Sequence, residues 1–344
     1  MNSKINFELA PINTGFTKDG IYDHRIIDFH RLRSGNNINV SCIGNIATSQ
    51  RTTTNKTTAY VNDRNKNKLE ELAKIITNNG SIASAQLASR ISAIPPKHTW
   101  ENEITEHVTN ASHEICAASE DIIQQELSEI TEKAITIAHL GFQIIQIHAA
   151  HGYFLSRLLN RVVNKRKDKF SFGNLSWLKD IRSNFSQRAP HSNLEIRINI
   201  ADGIESYEEE LTYKKDIIKT IQNCGISRIS LSNGFYDINK SHIYPNDTFL
   251  PKRSLNNAIH IANDNPSSFF SIAGNILECI TPDSSIPNNL SIAVGRPLIA
   301  DPRAIINFYS GKSSSCIKCG ECHYFSNRKE FLSCSRPTSQ LSPN

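Results

Sequence analysis

The chain of 344 residues has no run of 18 apolar residues, so it offers no candidate transmembrane helix. Its first residues, M-N-S-K-I-N-F-E, lack the apolar core of a secretory signal, and the cytoplasm is the expected compartment. A strong charge of either sign is missing as well. The net charge is +5, spread along the chain, which argues against a nucleic-acid partner. The densest basic cluster, Lys165, Arg166, Lys167 and Lys169, reads either as a solvated loop or as the edge of an active-site mouth. No G-x-G-x-x-G is present to open a dinucleotide-binding unit. With 38% hydrophobic residues, the chain still has enough apolar material for one large core.

That apolar material falls into alternating short and long segments. Runs with strand character lie at 5–11, 38–46, 81–87, 141–148, 194–200, 226–232, 269–273 and 290–294. Segments with helical spacing lie at 22–35, 65–79, 119–140, 154–159, 175–185, 207–224 and 255–263. Eight strands alternating with helices predict an α/β fold, a (β/α)₈ TIM barrel over 1–311, followed by a short Cys-rich extension over 312–344. Two sectors depart from the repeat. Residues 91–111 hold Pro95, Pro96 and Trp100 without a period and read as a loop over the barrel top. Between 276 and 290, Pro282 and Pro287 leave little room for a helix.

The most informative stretch is G-F-Q-I-I-Q-I-H-A-A-H-G-Y-F-L-S-R, residues 141–157. Ile145 and Ile147 alternate with Gln146 and His148, as a strand requires. His148, His151 and Tyr153 then emerge at its C-terminal end, where barrel enzymes carry their catalytic groups. Taken alone, a His at a strand end is more often a satisfied polar residue, and a Tyr after Gly a half-buried anchor. In the strand E-I-R-I-N-I, Arg197 shares a face with Glu195 and Asn199. A cation pointing into a barrel needs a partner, either a ligand or another strand. Gly274-Asn275 and Gly295-Arg296 follow the last two strands, the usual phosphate site of this architecture.

The order I-H-A-A-H-G-Y-x-L-S, then N-x-R-x-D at Asn164, Arg166 and Asp168, closely resembles the old yellow enzyme family of FMN-dependent oxidoreductases. The octet G-R-P-L-I-A-D-P after strand eight and A-P-I-N-T-G after strand one are similar to the same family. In layout the chain resembles the barrel domain of bacterial 2,4-dienoyl-CoA reductase. The resemblance implies an enzyme that uses FMN and NAD(P)H to reduce an activated C=C bond of a small-molecule substrate. It places Pro11, Ile12 and Asn13 against the flavin, Gln86 on its pyrimidine edge, and Arg197 beside N1 and the C2 carbonyl. Gly274, Asn275, Gly295 and Arg296 would hold the FMN phosphate. His148 and His151 would hydrogen-bond the substrate's activating oxygen, and Tyr153 would protonate its α-carbon. Three departures stand out. Q-L-A-S-R lacks the family's His and Gly after the Gln. Phe170-Ser171-Phe172-Gly173 replaces a Tyr-Gly-Gly-Ser run. Few residues precede the first strand, so a shortened barrel floor is expected, less stable or covered by another subunit of a homo-oligomer. Two rival readings remain: an FMN-dependent C–N dehydrogenase or demethylase, and a degenerate barrel kept for metal binding or assembly.

Of the eight cysteines, Cys42, Cys116, Cys224 and Cys279 are scattered and read as reduced thiols. Cys316, Cys319, Cys322 and Cys334 are spaced as metal ligands, for a 4Fe-4S cluster or for structural zinc. A cluster there would let electrons arrive from a redox partner subunit. Relatives that carry one usually have three residues between the second and third Cys, where this chain has two.

Overall fold

The computed structural model describes residues 4–90, 104–336 and 338–341. Among the described residues ten strands occur in chain order: β1 Asn6–Leu9, β2 Thr17–Lys18, β3 Ile21–Tyr22, β4 Val40–Ala47, β5 Ile82–Ala88, β6 Ile144–Ala149, β7 Asn193–Ala201, β8 Arg228–Asn233, β9 Phe269–Ile272 and β10 Leu290–Val294. Strands β2 and β3 form a small antiparallel hairpin. The other eight close a parallel barrel, with β1 hydrogen-bonded to both β4 and β10. This is the (β/α)₈ architecture expected from the alternation of segments.

The helices form where the sequence supplies an apolar stripe and a cap. Glu120–His139 buries Ile123, Leu127, Ile130, Ala134 and Ile137, and the Ser119 side chain accepts from Ile122 N at its start. Tyr207–Asn223 opens with a reciprocal Ser206/Glu209 capping box. Such side chains, Ile145 and Ile147 of β6 among them, fill the layer between barrel and helices. Each fully buried Ile contributes about 1.5–3 kcal/mol.

The barrel interior is polar along a chain of side chains. Gln86 donates to Gln146 at 2.5 Å, Gln146 donates to Glu195, and Glu195 pairs with Arg228 at 3.3 Å. Arg228 also approaches Glu8 at 4.0 Å. Burial, with Glu195 beside it, pushes the Glu8 carboxyl up to about 7.

Two segments differ from expectation. A helix, Ile104–Ala117, occupies part of the stretch expected to be a loop, and 91–103 lie outside the described residues. Between β9 and β10 there is only a 3₁₀ turn, Ile276–Cys279, as the prolines there suggest.

After the barrel, the Cys-rich segment folds back over it. Leu332 N donates to Thr14 O at 2.7 Å, and Thr338 Oγ1 donates to Ala300 O at 2.7 Å. The buried Arg33 guanidinium reaches the carbonyls of Phe29, Leu298, Ile299 and Ser339. It thus ties the first helix, the helix after β10 and the C-terminal segment together.

Candidate active site

At the end of β6 the chain turns through two left-handed residues, His151 (φ 61) and Gly152 (φ 80). A Cβ on Gly152 would meet the Phe235 ring at 2.3 Å, so only glycine fits there. The turn is pinned to the loop after β8 by Tyr236 N donating to His151 O at 3.1 Å. Its effect is to gather three rings. His148 lies 5.0 Å from His151 and 4.9 Å from Tyr153, centroid to centroid.

Protonation follows from burial. Desolvation, with the Arg197 guanidinium nearby, holds both imidazoles well below their ordinary pKa, so both are neutral at pH 7. Burial pushes the Tyr153 phenol up, so it keeps its proton. His151 Nε2 meets Ser232 Oγ at 2.8 Å, and Ser232 also accepts from Arg197 Nη2 at 3.1 Å. With the guanidinium N–H on the hydroxyl oxygen, the Ser232 proton is free to go to His151 Nε2. That assignment puts the His151 proton on Nδ1.

Arg197 is nearly fully buried, and its Nε has no partner among the described residues. Glu195, its neighbour on β7, is taken by Arg228. His148 Nδ1 and Asn45 Nδ2 are likewise buried and unpartnered. Buried polar groups are normally hydrogen-bonded. Arg197 and Asn45, which line the same cavity, therefore mark it as a place for a polar ligand.

On the opposite rim, β9 and β10 end in glycine turns. Gly274 has φ +112, and a Cβ there or on Gly295 would meet nothing within 4 Å. Asn275 is left-handed (φ 64). The backbone is therefore open to a ligand at both turns, next to the start of Arg296–Ala300. Arg296 is steadied by Asn246 Oδ1 at 3.0 Å and by Pro245 O.

The cavity measures about 280 Å³, close to the lower end of small-molecule sites, roughly 300–1,000 Å³. Pro11, Ile12, Asn13, Gln86, His151, Tyr153, Arg197, Gly274, Asn275, Gly295 and Arg296 all line it. His148 does not; it stands behind His151 and Tyr153. Asn13 is occupied by its own fold, donating to Thr58 Oγ1 and accepting from Tyr324 O–H at 3.1 Å.

The donor set suits FMN. Glycine turns and Arg296 can take a phosphate, Pro11 and Ile12 offer an apolar face, and Arg197, Gln86 and Asn45 supply polar groups for a heterocyclic edge.

Several residues of the cavity carried no sequence signal. Asn45, Tyr236, Asp237, Tyr244 and Tyr324 all line it, and only the closed barrel brings them together. Ser232, the hydroxyl between Arg197 and His151, was equally silent. Burial raises the pKa of Asp237.

The four expected metal ligands share a neighbourhood. Burial, then the Cys316 thiol, pushes Cys322 up to about 11, and Cys334 feels Cys319 and Cys316. Among the described residues, however, no group of three or more His, Cys, Asp or Glu side chains is gathered to hold a metal. As arranged, the thiols do not fit a metal centre. Cys322 and His323 instead form part of the cavity wall, with His323 stacked 4.3 Å from Tyr244.

Comparison with known proteins agrees with this geometry. Residues 12–312 match the profile of the NADH:flavin oxidoreductase / NADH oxidase family. A probable NADPH dehydrogenase of Candida albicans is 29% identical over 132 residues, 33% of this chain and 32% of that one. An NADPH dehydrogenase of Halalkalibacterium halodurans is 31% identical over 122 residues, 34% of this chain and 35% of that one. The matched stretch thus spans about a third of these curated relatives. Among solved structures, a 2-naphthoyl-CoA reductase complex superposes with TM-score 0.76 at 16% identity, over 98% of this chain and 55% of that one. The old yellow enzyme homologue from Zymomonas mobilis superposes with TM-score 0.68 at 15% identity, over 98% and 96%.

Proposed function

The chain belongs to the NADH:flavin oxidoreductase / NADH oxidase family, and from that premise we propose that it uses FMN and NAD(P)H to reduce the C=C bond of an α,β-unsaturated small molecule. One observation carries the reading. A neutral His151 and a protonated Tyr153 face the same cavity as Arg197 and the two open glycine turns.

Pro11, Ile12, Gln86 and Arg197 would hold the ring system, and the turns at Gly274-Asn275 and Gly295-Arg296 the phosphate. Bound FMN supplies the hydride that the substrate's β-carbon receives. The residues of this chain do the rest. Arg197, held by Ser232, keeps a fixed positive charge at the buried edge. The His151 N–H donates to the substrate carbonyl and draws electron density from the double bond. His148 packs against both His151 and Tyr153 and fixes their rings from behind. Tyr153 gives its proton to the α-carbon; its raised pKa means that it does so only to a strongly basic carbon. Arg157, beside Tyr153, donates to Gly152 O at 2.9 Å and keeps the turn in place.

The test separates two half-reactions. Protein loaded with FMN is reduced anaerobically by NADPH or NADH and then mixed with an α,β-unsaturated ketone. Reoxidation at the rate of product formation supports the reading. Reduction by NAD(P)H with no reoxidation by any activated alkene would sink it.

The spacing of Cys316, Cys319, Cys322 and Cys334 still supports a 4Fe-4S cluster or zinc as a proposal, and no step above uses one. Iron, zinc and sulfide assays on protein purified without oxygen decide it. Iron with a broad absorbance under the flavin bands favours the cluster, zinc favours a structural site, and neither metal ends the proposal.

A further inference from the structure

The pairing of β4 with β5 is interrupted between Ile43 and Ile46. At that point Gly44 has φ +135, and a Cβ on it would lie 2.9 Å from Gln86 O. The two strands come together too closely here for a side chain. The following residue, Asn45, is swung by the irregularity into the cavity, as bulges commonly do. It is 9% exposed, and its Nδ2 has no acceptor among the described residues.

Its neighbours define what it can meet. Gln86 lines the cavity and gives an amide N–H to Gln146, which leaves its Oε1 as the group to accept from a ligand. Arg197, further round the rim on β7, keeps an unpartnered Nε. Read along the barrel from β7 through β5 to β4, the rim presents donor, acceptor, donor. The matching group is a cyclic imide: carbonyl, N–H, carbonyl. The pyrimidine edge of a flavin is such an imide. Its C2 carbonyl shares the negative charge that reduction places on N1, and belongs beside the cation. The C4 carbonyl is left for Asn45.

We propose that Asn45 is a cofactor-binding residue whose Nδ2–H donates to the flavin C4 carbonyl. The inference rests on the FMN reading above and adds a contact to it. A donor at C4 draws electrons from the ring, so it tightens FMN binding and makes the bound flavin easier to reduce.

The test uses FMN-free full-length protein titrated with FMN and with 4-thio-FMN, whose sulfur is a poor acceptor. The wild type should prefer FMN by about tenfold, the scale of one hydrogen bond at a buried site. Asn45→Ala should bind FMN about tenfold more weakly, lose that preference, and shift the midpoint potential of bound flavin to more negative values. A wild type that binds both flavins equally overturns the assignment without recourse to any variant. So does an Asn45→Ala protein with unchanged FMN affinity and potential. A wild type that binds neither flavin overturns the FMN reading itself. Binding of FMN with no 4-thio discrimination leaves that reading standing and removes only Asn45 from it.

Discussion

Two arcs of the barrel do different work. Strands β5 to β8 run to 7, 6, 9 and 6 residues, and long helices such as Glu120–His139 and Tyr207–Asn223 back them. This arc presents side chains to the cavity, Gln86 and Arg197, with His148 and Ser232 behind them. Strands β9 and β10 have 4 and 5 residues with only a 3₁₀ turn between them. This arc presents backbone, at Gly274 and Gly295. Side-chain chemistry depends on fixed rotamers and a packed support. A phosphate needs N–H groups with nothing in front of them, which short strands and glycine turns supply. The irregular sector is thus the half of the site that works through absence of side chains.

If that division is real, changes in one arc should leave the other untouched. The largest effect expected is from Tyr153→Phe. Alkene reduction should fall roughly 10²–10⁴-fold, the range for loss of a positioned general acid. FMN affinity and the rate of flavin reduction by NAD(P)H should not move. Equal loss in both half-reactions would merge the two arcs.

Next comes Gly274→Val. Its φ of +112 is a region that a β-branched residue reaches only with strain, about 1–3 kcal/mol. FMN affinity should drop on the order of 10–100-fold by titration, while protein saturated with FMN reduces alkenes at the parent rate. A slow saturated variant would show that the glycine turn also shapes chemistry.

Ser232→Ala should be milder. It removes the hydroxyl between Arg197 and His151 and frees the imidazole tautomer. Roughly tenfold slower alkene reduction, with a weakened affinity for phenolic ligands, is expected. Unchanged ligand affinity would mean that Ser232 does not set the tautomer.

The smallest effect is on stability against pH. His30 is held at about 3 by burial, and His148 and His151 well below their ordinary value. An unfolded His titrates near 6.5. Below that pH the unfolded chain binds more protons than the folded one, so stability is lost as pH falls, by about 1.4 kcal/mol per unit per group. Glu8 acts with the opposite sign. It keeps its proton up to about 7 when folded and only to about 4.5 when unfolded, so its contribution declines as pH rises through that window. Three imidazoles outweigh one carboxyl. Melting temperature should therefore fall modestly from pH 6.5 to 5, and Glu8→Gln should steepen that fall. A flat profile in both proteins would contradict the burial of these groups.

The barrel was legible because alternation is a local signal. Gln146 and His148 alternating with Ile145 and Ile147 announce the two faces of β6, and the Gly-Asn and Gly-Arg turns announce the ends of β9 and β10. Helix Ile104–Ala117 was hidden because its neighbours Pro95 and Pro96 suggested a loop. Ser232 and Asn45 were hidden for a different reason. Nothing local distinguishes them; Ser232 matters through β7, and Asn45 through a bulge created by close approach to Gln86. His148 and His151 look equivalent in sequence, yet only the second reaches the cavity, because one lies within the strand and the other in the left-handed turn. The Cys segment showed its spacing but not its place as a wall.

That wall has a consequence for how the protein is made. Arg33 of the first helix donates to Ser339 O, although some 300 residues separate them, and residues 322–326 wall the cavity. During synthesis from the N-terminus, all eight barrel strands are made before residues 322–326 exist. A nascent barrel therefore has an open side. Any cofactor that enters early sits in an unfinished vessel, and the arrival of the last stretch of chain both closes the vessel and clasps its first helix.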